Sequence, residues 1–304
     1  MTFTVMIATR NRIDDLRKTC QNIQTWYPPP DEVIICADGC TDGTVKMVQE
    51  EFPTFTLIEN EQSLGSVGTR NRILHLAKGD FVVCLDDDSY PLEPVFLNHV
   101  QQILAKHPEA GVITFPELLN GDVYSSTSKT PSSPGQYVAA YPNCAAIMRR
   151  DLYLKLQGFP TFFHHMYEEP DYALQCYASG FAVWFEPSLT IRHHTSSVQR
   201  QPVRRHHQNA RNELWSVWLR CPFPWVIPVS IFRIVRQFQY ACSEGFRWAI
   251  REPIWWWSAL MGLPQCLRDR QPIPWQTYYA WMKLARQPAY TSEQVKQIIE
   301  VPSL

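Results

Sequence analysis

Gly79-Asp80-Phe81-Val82-Val83-Cys84-Leu85-Asp86-Asp87-Asp88-Ser89-Tyr90-Pro91 is the stretch from which the fold is read. Phe81 to Leu85 is a short unbroken apolar run, as expected of a strand buried on both faces of a mostly parallel sheet. It ends abruptly in three carboxylates, and Pro91 stops the strand soon after. Adjacent acids repel one another unless a cation or solvent relieves them. In open α/β sheets the carboxyl end of a strand is also where ligands bind. Oxygen ligands of this kind suit Mg²⁺ or Mn²⁺, which can bridge carboxylates to phosphate oxygens. The triplet alone is equally compatible with a solvated acidic turn that caps the next helix.

Upstream, the pattern alternates. Phe3–Ala8 is apolar and β-prone, followed by Thr9-Arg10-Asn11-Arg12 and a helix opening at Asp14 or Asp15. Pro28-Pro29-Pro30 ends that helix. Glu32–Ala37 is a second strand, closed by the tight turn Asp38-Gly39-Cys40-Thr41-Asp42-Gly43-Thr44. Thr44–Phe52 reads as a helix, Thr54–Glu59 as a strand, and Gly65–Lys78 as a helical run containing Thr69-Arg70-Asn71. Strand and helix in alternation over about 90 residues predict a doubly wound α/β half-domain. No G-x-G-x-x-G follows the first strand and no G-x-x-x-x-G-K-[ST] occurs, so the ordinary dinucleotide and P-loop readings lose support.

Downstream, a helix over Val95–Ala105 and a strand over Gly111–Phe115 are predicted, then a Ser/Thr/Pro/Gly-rich loop from Asn120 to Gly135. Tyr141–Arg150 returns to the sheet and Asp151–Leu156 is a short helix. His164-His165-Met166-Tyr167-Glu168-Glu169-Pro170-Asp171 follows, with Pro170 suited to the first turn of a helix running to Ala178. Phe181–Phe185 is a strand, and Ile191-Arg192-His193-His194 lies beyond it.

The chain has 304 residues, enough for one or two domains with a real core. Its nine cysteines are scattered singly, without a C-x-x-C pair or a secretory signal, which predicts reduced thiols and a cytoplasmic protein. No apolar stretch reaches the roughly 18–20 residues needed to span a bilayer. The net charge of −1 hides a split. Residues 1–199 carry 14 Lys/Arg against 23 Asp/Glu, a balance of −9; residues 200–304 carry 14 against 6, a balance of +8, with nine of the eleven tryptophans. Two regions are therefore expected, 1–200 and a basic, Trp-rich helical region 201–304.

Taken in order, Thr9-Arg10-Asn11-Arg12, Asp38–Thr44, Thr69-Arg70-Asn71, Asp86-Asp87-Asp88, Gly158-Phe159, Glu168-Glu169-Pro170-Asp171 and His193-His194 resemble glycosyltransferase family 2. The match covers roughly residues 3–195. The resemblance implies the GT-A fold, an α/β sandwich with a mostly parallel central sheet, here carrying a C-terminal helical extension. It also implies an inverting transfer from a nucleotide-sugar donor to a hydroxyl of a glycan or lipid-linked acceptor, dependent on Mn²⁺ or Mg²⁺. Thr9 and Asp38 match positions that hold the nucleotide base, with Arg10 and Asn11 beside them, and Arg70 matches a nearby donor contact. Asp86 and Asp88 match a D-x-D motif, the first acid facing the ribose and the last the metal, with Asp87 between them. His193 or His194 matches a late histidine that completes the metal site. Glu169 matches the acid that serves as base, with Glu168 and Asp171 its neighbours in the motif. The chain has Ala8 where the family usually has Pro, and Glu169 where it often has Asp.

The residues themselves leave rival readings open. A nucleotidyltransferase also uses carboxylates, metal and an α/β sheet, and a silent sugar-nucleotide-binding scaffold would keep the donor site without turnover. Glu169 and Asp171 could simply cap and support their helix, and His164-His165 could line the acceptor side. His206-His207 read as solvent-facing. In the tail, Ile231, Ile234, Val235, Phe238, Ala241, Cys242, Phe246 and Ala249 fall on one side of a 3.6-residue helix, and Arg233, Arg236, Arg247 and Arg251 on the other. With Trp255-Trp256-Trp257 following, this fits a helix lying on an anionic membrane surface, at the inner face of the cell membrane, or else a helical subdomain whose apolar side packs on the catalytic domain with its arginines in solvent. No nucleic-acid motif accompanies the basic charge.

Overall fold

The computed structural model describes residues 1–125, 129–195, 201–287 and 289–299. Its N-terminal part runs β1 (Phe3–Thr9), α1 (Ile13–Ile23), β2 (Glu32–Asp38), α2 (Thr44–Glu51), β3 (Thr56–Asn60), α3 (Gly65–Leu76), β4 (Phe81–Asp86) and β5 (Ser89–Pro91). It continues through α4 (Phe96–Lys106), β6 (Ala110–Thr114), β7 (Glu117–Leu118), β8 (Gln136–Tyr137), β9 (Ala146–Arg149), α5 (Arg150–Lys155), α6 (Glu168–Ala178), β10 (Ala182–Phe185) and β11 (Ile191–His193). The C-terminal part is helical: α7 (Pro202–Arg220), α8 (Val226–Glu244), α9 (Phe246–Ala249), α10 (Glu252–Met261), α11 (Leu263–Arg268), α12 (Trp275–Leu284) and α13 (Ser292–Ile299).

Eight strands form one sheet in the order β3-β2-β1-β4-β9-β6-β10-β8. Strands β1 to β4 are parallel; the apolar runs of β1, β2 and β4 are buried, while Leu57 and Ile58 of edge strand β3 are partly buried. The sheet is mixed rather than parallel throughout: β9 enters antiparallel between β4 and β6. The register aligns Ala8 with Asp86 and Thr9 with Ala37, so the carboxyl ends of β1, β2 and β4 finish side by side. A second, three-stranded sheet, β5-β11-β7, crosses that edge and sets His193 opposite Ser89.

Several boundaries differ from expectation by a residue or two, and of the expected strand Tyr141–Arg150 only Ala146–Arg149 is strand, after a 3₁₀ turn over Asn143–Ala145. β3 starts at Thr56, because Phe55 still closes a turn onto Phe52. α6 starts at Glu168, two residues before Pro170, whose missing N–H still falls within the unbonded first turn. Of the Ser/Thr/Pro/Gly-rich loop, residues 126–128 lie outside the described set, as does the expected domain boundary at residue 200.

The core does not stop at the sheet. Trp215, Val217, Leu219, Tyr278, Trp281 and Leu284 belong to the same apolar cluster as the strands. Trp281 Nε1–H donates to the Ala139 carbonyl at 2.8 Å, and the Tyr137 N–H on edge strand β8 donates to the Ala289 carbonyl at 2.7 Å.

The tail reverses the expected polarity. α8 stops at Glu244, where Gly245 (φ 113°) turns the chain, so Phe246 and Ala249 lie on a separate short helix. Ile231 and Val235 are 58% and 47% exposed, whereas the Arg233 side chain is only 13% exposed. The cause is Glu213 on α7, a buried carboxylate that must be paired. It takes Arg233 at 3.0 Å, Arg236 at 2.5 Å and Gln237 Nε2 at 2.6 Å. Arg233 and Arg236 therefore turn to Glu213, Arg236 staying 45% exposed, while Ile231, Val235 and Phe238 face out and Ile234 and Ala241 pack inward. Trp255 is likewise buried, donating to Glu252, and of the three tryptophans only Trp257 is exposed. His206, expected in solvent, is buried against Glu252 at 2.8 Å.

Candidate functional site

Apolar β4 carries Asp86 to the sheet edge, and the turn beyond it holds Asp87 and Asp88. Asp87 is buried; Thr9 Oγ1 donates to its Oδ2 at 2.8 Å and Arg12 Nη1 to its Oδ1 at 2.7 Å. Burial pushes the Asp87 carboxyl up to about 7, with Arg12 opposing and Asp88 adding to the rise. Arg12 also donates to Asp88 Oδ2 at 2.6 Å. For Asp88, burial is outweighed by His193 and Arg12, which hold its carboxyl below the usual range.

β11 settles which histidine faces these acids. His193 Nε2 lies 3.2 Å from Asp88 Oδ1 and its Nδ1 3.0 Å from Glu117 Oε1. His194, on the opposite side of the extended chain, places Nε2 2.8 Å from the Tyr90 hydroxyl. Burial would lower the His193 pKa, but the carboxylates of Asp88 and Glu117 beside it carry it up to about 10.

The residues suit a hard divalent cation. Asp88 Oδ1 is buried, within ion-pair distance of His193, yet makes no hydrogen bond. Asp86, Cys144 and His193 bring ligand atoms within 4.8 Å of one another. Cys144 is the odd member. Burial and Glu117 raise its thiol well above the ordinary value, and it donates to Glu117 Oε1 at 2.8 Å. A protonated thiol is a poor ligand for Mn²⁺ or Mg²⁺, which leaves Asp86 and His193 as the fitting donors of that group, with Asp88 Oδ1 beside His193 at 3.2 Å.

Arg70 joins this cluster to α6. The guanidinium is buried, with Nη2 2.5 Å from Asp86 Oδ1 and Nη1 2.9 Å from Glu168 Oε1. The first turn of α6 therefore stands opposite the acidic triplet. Glu168 is buried in that ion pair, while Glu169 is half-buried. Burial, then the adjacent Glu168, push the Glu169 carboxyl up to about 8 against the pull of Arg70.

The segment entering α6 is strained: His164, Met166 and Tyr167 have φ of 64°, 76° and 70°. Asn212 on α7 holds it by donating to the Phe163, His165 and Met166 carbonyls at 3.1, 2.8 and 2.7 Å. Gly65, at φ 75°, is required beneath this loop, since a Cβ there would meet His164 Nδ1 at 2.5 Å.

Other expected residues take different places. Thr9 and Asp38 are buried with their polar atoms used internally. Asp38 accepts from Ser63 Oγ (2.6 Å), Asn60 Nδ2 (2.8 Å) and the Leu64 and Gly65 amides (2.8 and 3.1 Å). Burial alone would raise its carboxyl, but these hydrogen bonds hold it low. These bonds tie β1 to the triplet and β2 to the start of α3. Arg10 and Asn11 are exposed at the rim, where Asn11 Oδ1 accepts the Thr41 N–H at 2.7 Å.

Asp171 is fully buried, bound by Arg220 Nη2 at 2.9 Å, Ser216 Oγ at 2.7 Å and Gln175 Nε2 at 2.8 Å. Sequence reasoning passed over Arg12, although it ends the quoted Thr9–Arg12 motif. Asn212 and Arg220 lie in the tail, where no motif signalled them.

A family model described as glycosyl transferase family 2 matches residues 4–153. An uncharacterized glycosyltransferase of Bacillus subtilis, YwdF, is 26% identical over 181 residues, covering 55% of this chain and 65% of that protein. The Escherichia coli UDP-Glc:α-D-GlcNAc-diphosphoundecaprenol β-1,3-glucosyltransferase WfaP is 31% identical over 88 residues, 29% of this chain and 35% of that protein. The chain thus spans less than two thirds of the length of these curated relatives. Among solved structures, S. aureus TarS 1–349 in complex with UDP has a TM-score of 0.64 at 16% identity, covering 98% of this chain and 89% of that one. A Pyrobaculum calidifontis mannosyltransferase, PcManGT, in complex with GDP-Man and Mn²⁺, has a TM-score of 0.57 at 19% identity, with 99% and 88% covered. These likenesses show the fold, a GT-A sheet with a helical C-terminal region.

Proposed function

Because the chain belongs, through residues 4–153, to glycosyl transferase family 2, we propose that it transfers a sugar from a nucleotide-sugar donor to an acceptor hydroxyl with inversion at the anomeric carbon. The observation that carries this is the Arg70 bridge, which sets the Asp86–Asp88–His193 cluster and the α6 carboxylates face to face. Asp86, Asp88 and His193 would hold Mn²⁺ or Mg²⁺ against the donor diphosphate. When bound, the ion supplies Lewis-acid neutralisation of charge on the leaving nucleoside diphosphate. Arg10 and Asn11 at the rim offer the nucleotide further polar contacts.

Glu169 is the base. The acceptor oxygen attacks the anomeric carbon, the bond from that carbon to the diphosphate oxygen breaks, and the hydroxyl proton passes to the Glu169 carboxylate. One displacement at one face inverts the configuration. Glu168, held by Arg70, keeps the arginine and the helix in place beside it.

The acceptor is a hydroxyl on a glycan or lipid-linked sugar, and the protein works at an anionic membrane surface. Supporting this, Ile231, Phe246, Ile250, Trp257 and Met261 are exposed between α8 and α10, as are Arg247, Arg251 and Arg268. Apolar side chains flanked by cations are what an interfacial helix presents. Among the described residues no helix is long and apolar enough to cross a membrane.

The test is a panel of sugar nucleotides titrated with and without Mn²⁺, on wild-type protein and Asp88→Asn. Metal-dependent binding of at least one donor, lost in the variant, is expected. An Asp88→Asn protein that binds donor and metal as the wild type does would overturn the assignment.

A further inference from the structure

The acidic cluster has a member that no sequence motif marked. Glu117 stands on β7, which pairs in parallel with β11 and sets Glu117 opposite Ile191. Side chains alternate along a strand, so Glu117, Ile191 and His193 share one face of the small sheet. Glu117 is 4% exposed, and a buried carboxylate has to be matched by donors or by opposite charge. Among the described residues His193 is its only ion-pair partner, and no lysine or arginine reaches it.

Two donors meet on one of its oxygens. Oε1 accepts from the Cys144 thiol at 2.8 Å and from His193 Nδ1 at 3.0 Å. The thiol comes from the short turn Asn143–Ala145, and the Cys144 carbonyl accepts the Ser89 hydroxyl at 3.1 Å. Ser89 follows Asp88 directly, so thiol, carboxylate and imidazole are tied to the same framework as the acidic triplet.

The consequence falls on the other ring nitrogen. With Nδ1 committed to Glu117, Nε2 is the nitrogen turned to the acids, 3.2 Å from the buried Asp88 Oδ1. A divalent ion needs the lone pair of that nitrogen, and so needs the remaining ring proton to sit on Nδ1. Without an acceptor beside Nδ1, the ring is free to carry its one proton on Nε2 or to rotate away, and either removes the ligand.

Resting on the proposed metal site, we propose that Glu117 is a positioning residue for the ion. It fixes His193 with the proton on Nδ1 and with Nε2 toward the acidic triplet, and it acts on the metal only through that ring. Cys144 serves the same arrangement as a donor to Glu117 and not as a ligand.

The experiment measures Mn²⁺ affinity of the full chain, without donor, from the electron paramagnetic resonance signal of the free ion. Glu117→Ala should bind Mn²⁺ at least about tenfold more weakly than wild type. Glu117→Gln, whose amide oxygen still accepts from Nδ1, should retain more of the affinity and shows that the loss in the alanine variant is not misfolding. His193→Ala should lose at least as much as Glu117→Ala, and combining the two should cost nothing further, because the carboxylate then has no ring to orient. A merely structural role would make the two losses add. Co²⁺ gives a second readout: the wild-type complex should lack a thiolate-to-cobalt charge-transfer band. Losses that add, or a Glu117→Ala protein that binds Mn²⁺ as the wild type does, overturn the proposal. A Co²⁺ charge-transfer band abolished by Cys144→Ser also overturns it, since the thiol is then a ligand. So does wild-type protein that takes up Mn²⁺ only together with a sugar nucleotide, a result that leaves the reaction standing. Mn²⁺ binding that neither His193→Ala nor Asp88→Asn weakens is distinct, because it overturns the metal site and this proposal with it.

Discussion

Replacing Asp171 by Asn separates architecture from chemistry. The carboxylate is fully buried and carries the charge that balances Arg220, which is itself 1% exposed. Arg220 Nη2 and Nε reach it at 2.9 and 3.1 Å, and Ser216 adds a hydrogen bond at 2.7 Å. Asn has the same size, so no cavity forms, but the guanidinium is left buried beside a neutral amide. Breaking one side of a buried pair costs about 3–5 kcal/mol. Asn still accepts one hydrogen bond, which places the expectation near the lower end, about 3 kcal/mol. With a urea m-value of about 3 kcal/mol/M, the unfolding midpoint should fall by about 1 M at unchanged slope. Turnover of the protein still folded should stay within a few-fold of wild type. The double variant Asp171→Leu, Arg220→Met removes both charges and should recover much of the loss, as apolar replacements of buried pairs do. An Asp171→Asn protein with an unchanged midpoint and no turnover would refute this reasoning and return Asp171 to the reaction.

The pH profile follows from Glu169. A base acts in its deprotonated form, so a carboxyl raised to about 8 makes kcat/KM fall as pH drops through that value. A profile flat from pH 6 to 9 would remove Glu169 from the rate. For the tail, co-sedimentation with anionic vesicles should exceed that with neutral ones, weaken in salt, and drop when Phe246, Ile250 and Trp257 are changed together to Ser. Binding that survives the triple change would move the contact elsewhere on the protein.

Much of this was legible in the chain, for identifiable reasons. The run Phe81–Leu85 marks a central strand by itself, whereas reading its three acids as a ligand end needed the ordered motifs around them. Alternating strand and helix patterns gave the layers, because each reflects a local period. Partnerships between distant residues were not legible. Arg10 and Arg12 look alike in sequence, but only Arg12, at the entry to α1, reaches Asp87 and Asp88. His193 and His194 differ only in which side of β11 they point to, and that depends on how β11 pairs with β5. The tail misled most. Helical periodicity sorts Arg233 and Arg236 from Ile231 and Val235, but says nothing about which side is buried. That was decided by Glu213, buried on a different helix and needing cations. Asp171 likewise met its partner 49 residues downstream, beyond the motif that made it look catalytic.

The most direct test of the account is turnover by Glu169→Gln beside Glu168→Gln, with donor affinity measured on the same samples. Glutamine is nearly isosteric with glutamate but cannot take the acceptor proton. Glu169→Gln should therefore bind donor as the wild type does and lose about 10²–10⁴-fold in kcat. Glu168→Gln weakens the tie to Arg70 and should retain more of its turnover. A Glu169→Gln protein that turns over normally while Glu168→Gln is dead would contradict the assignment of the base and exchange the two roles.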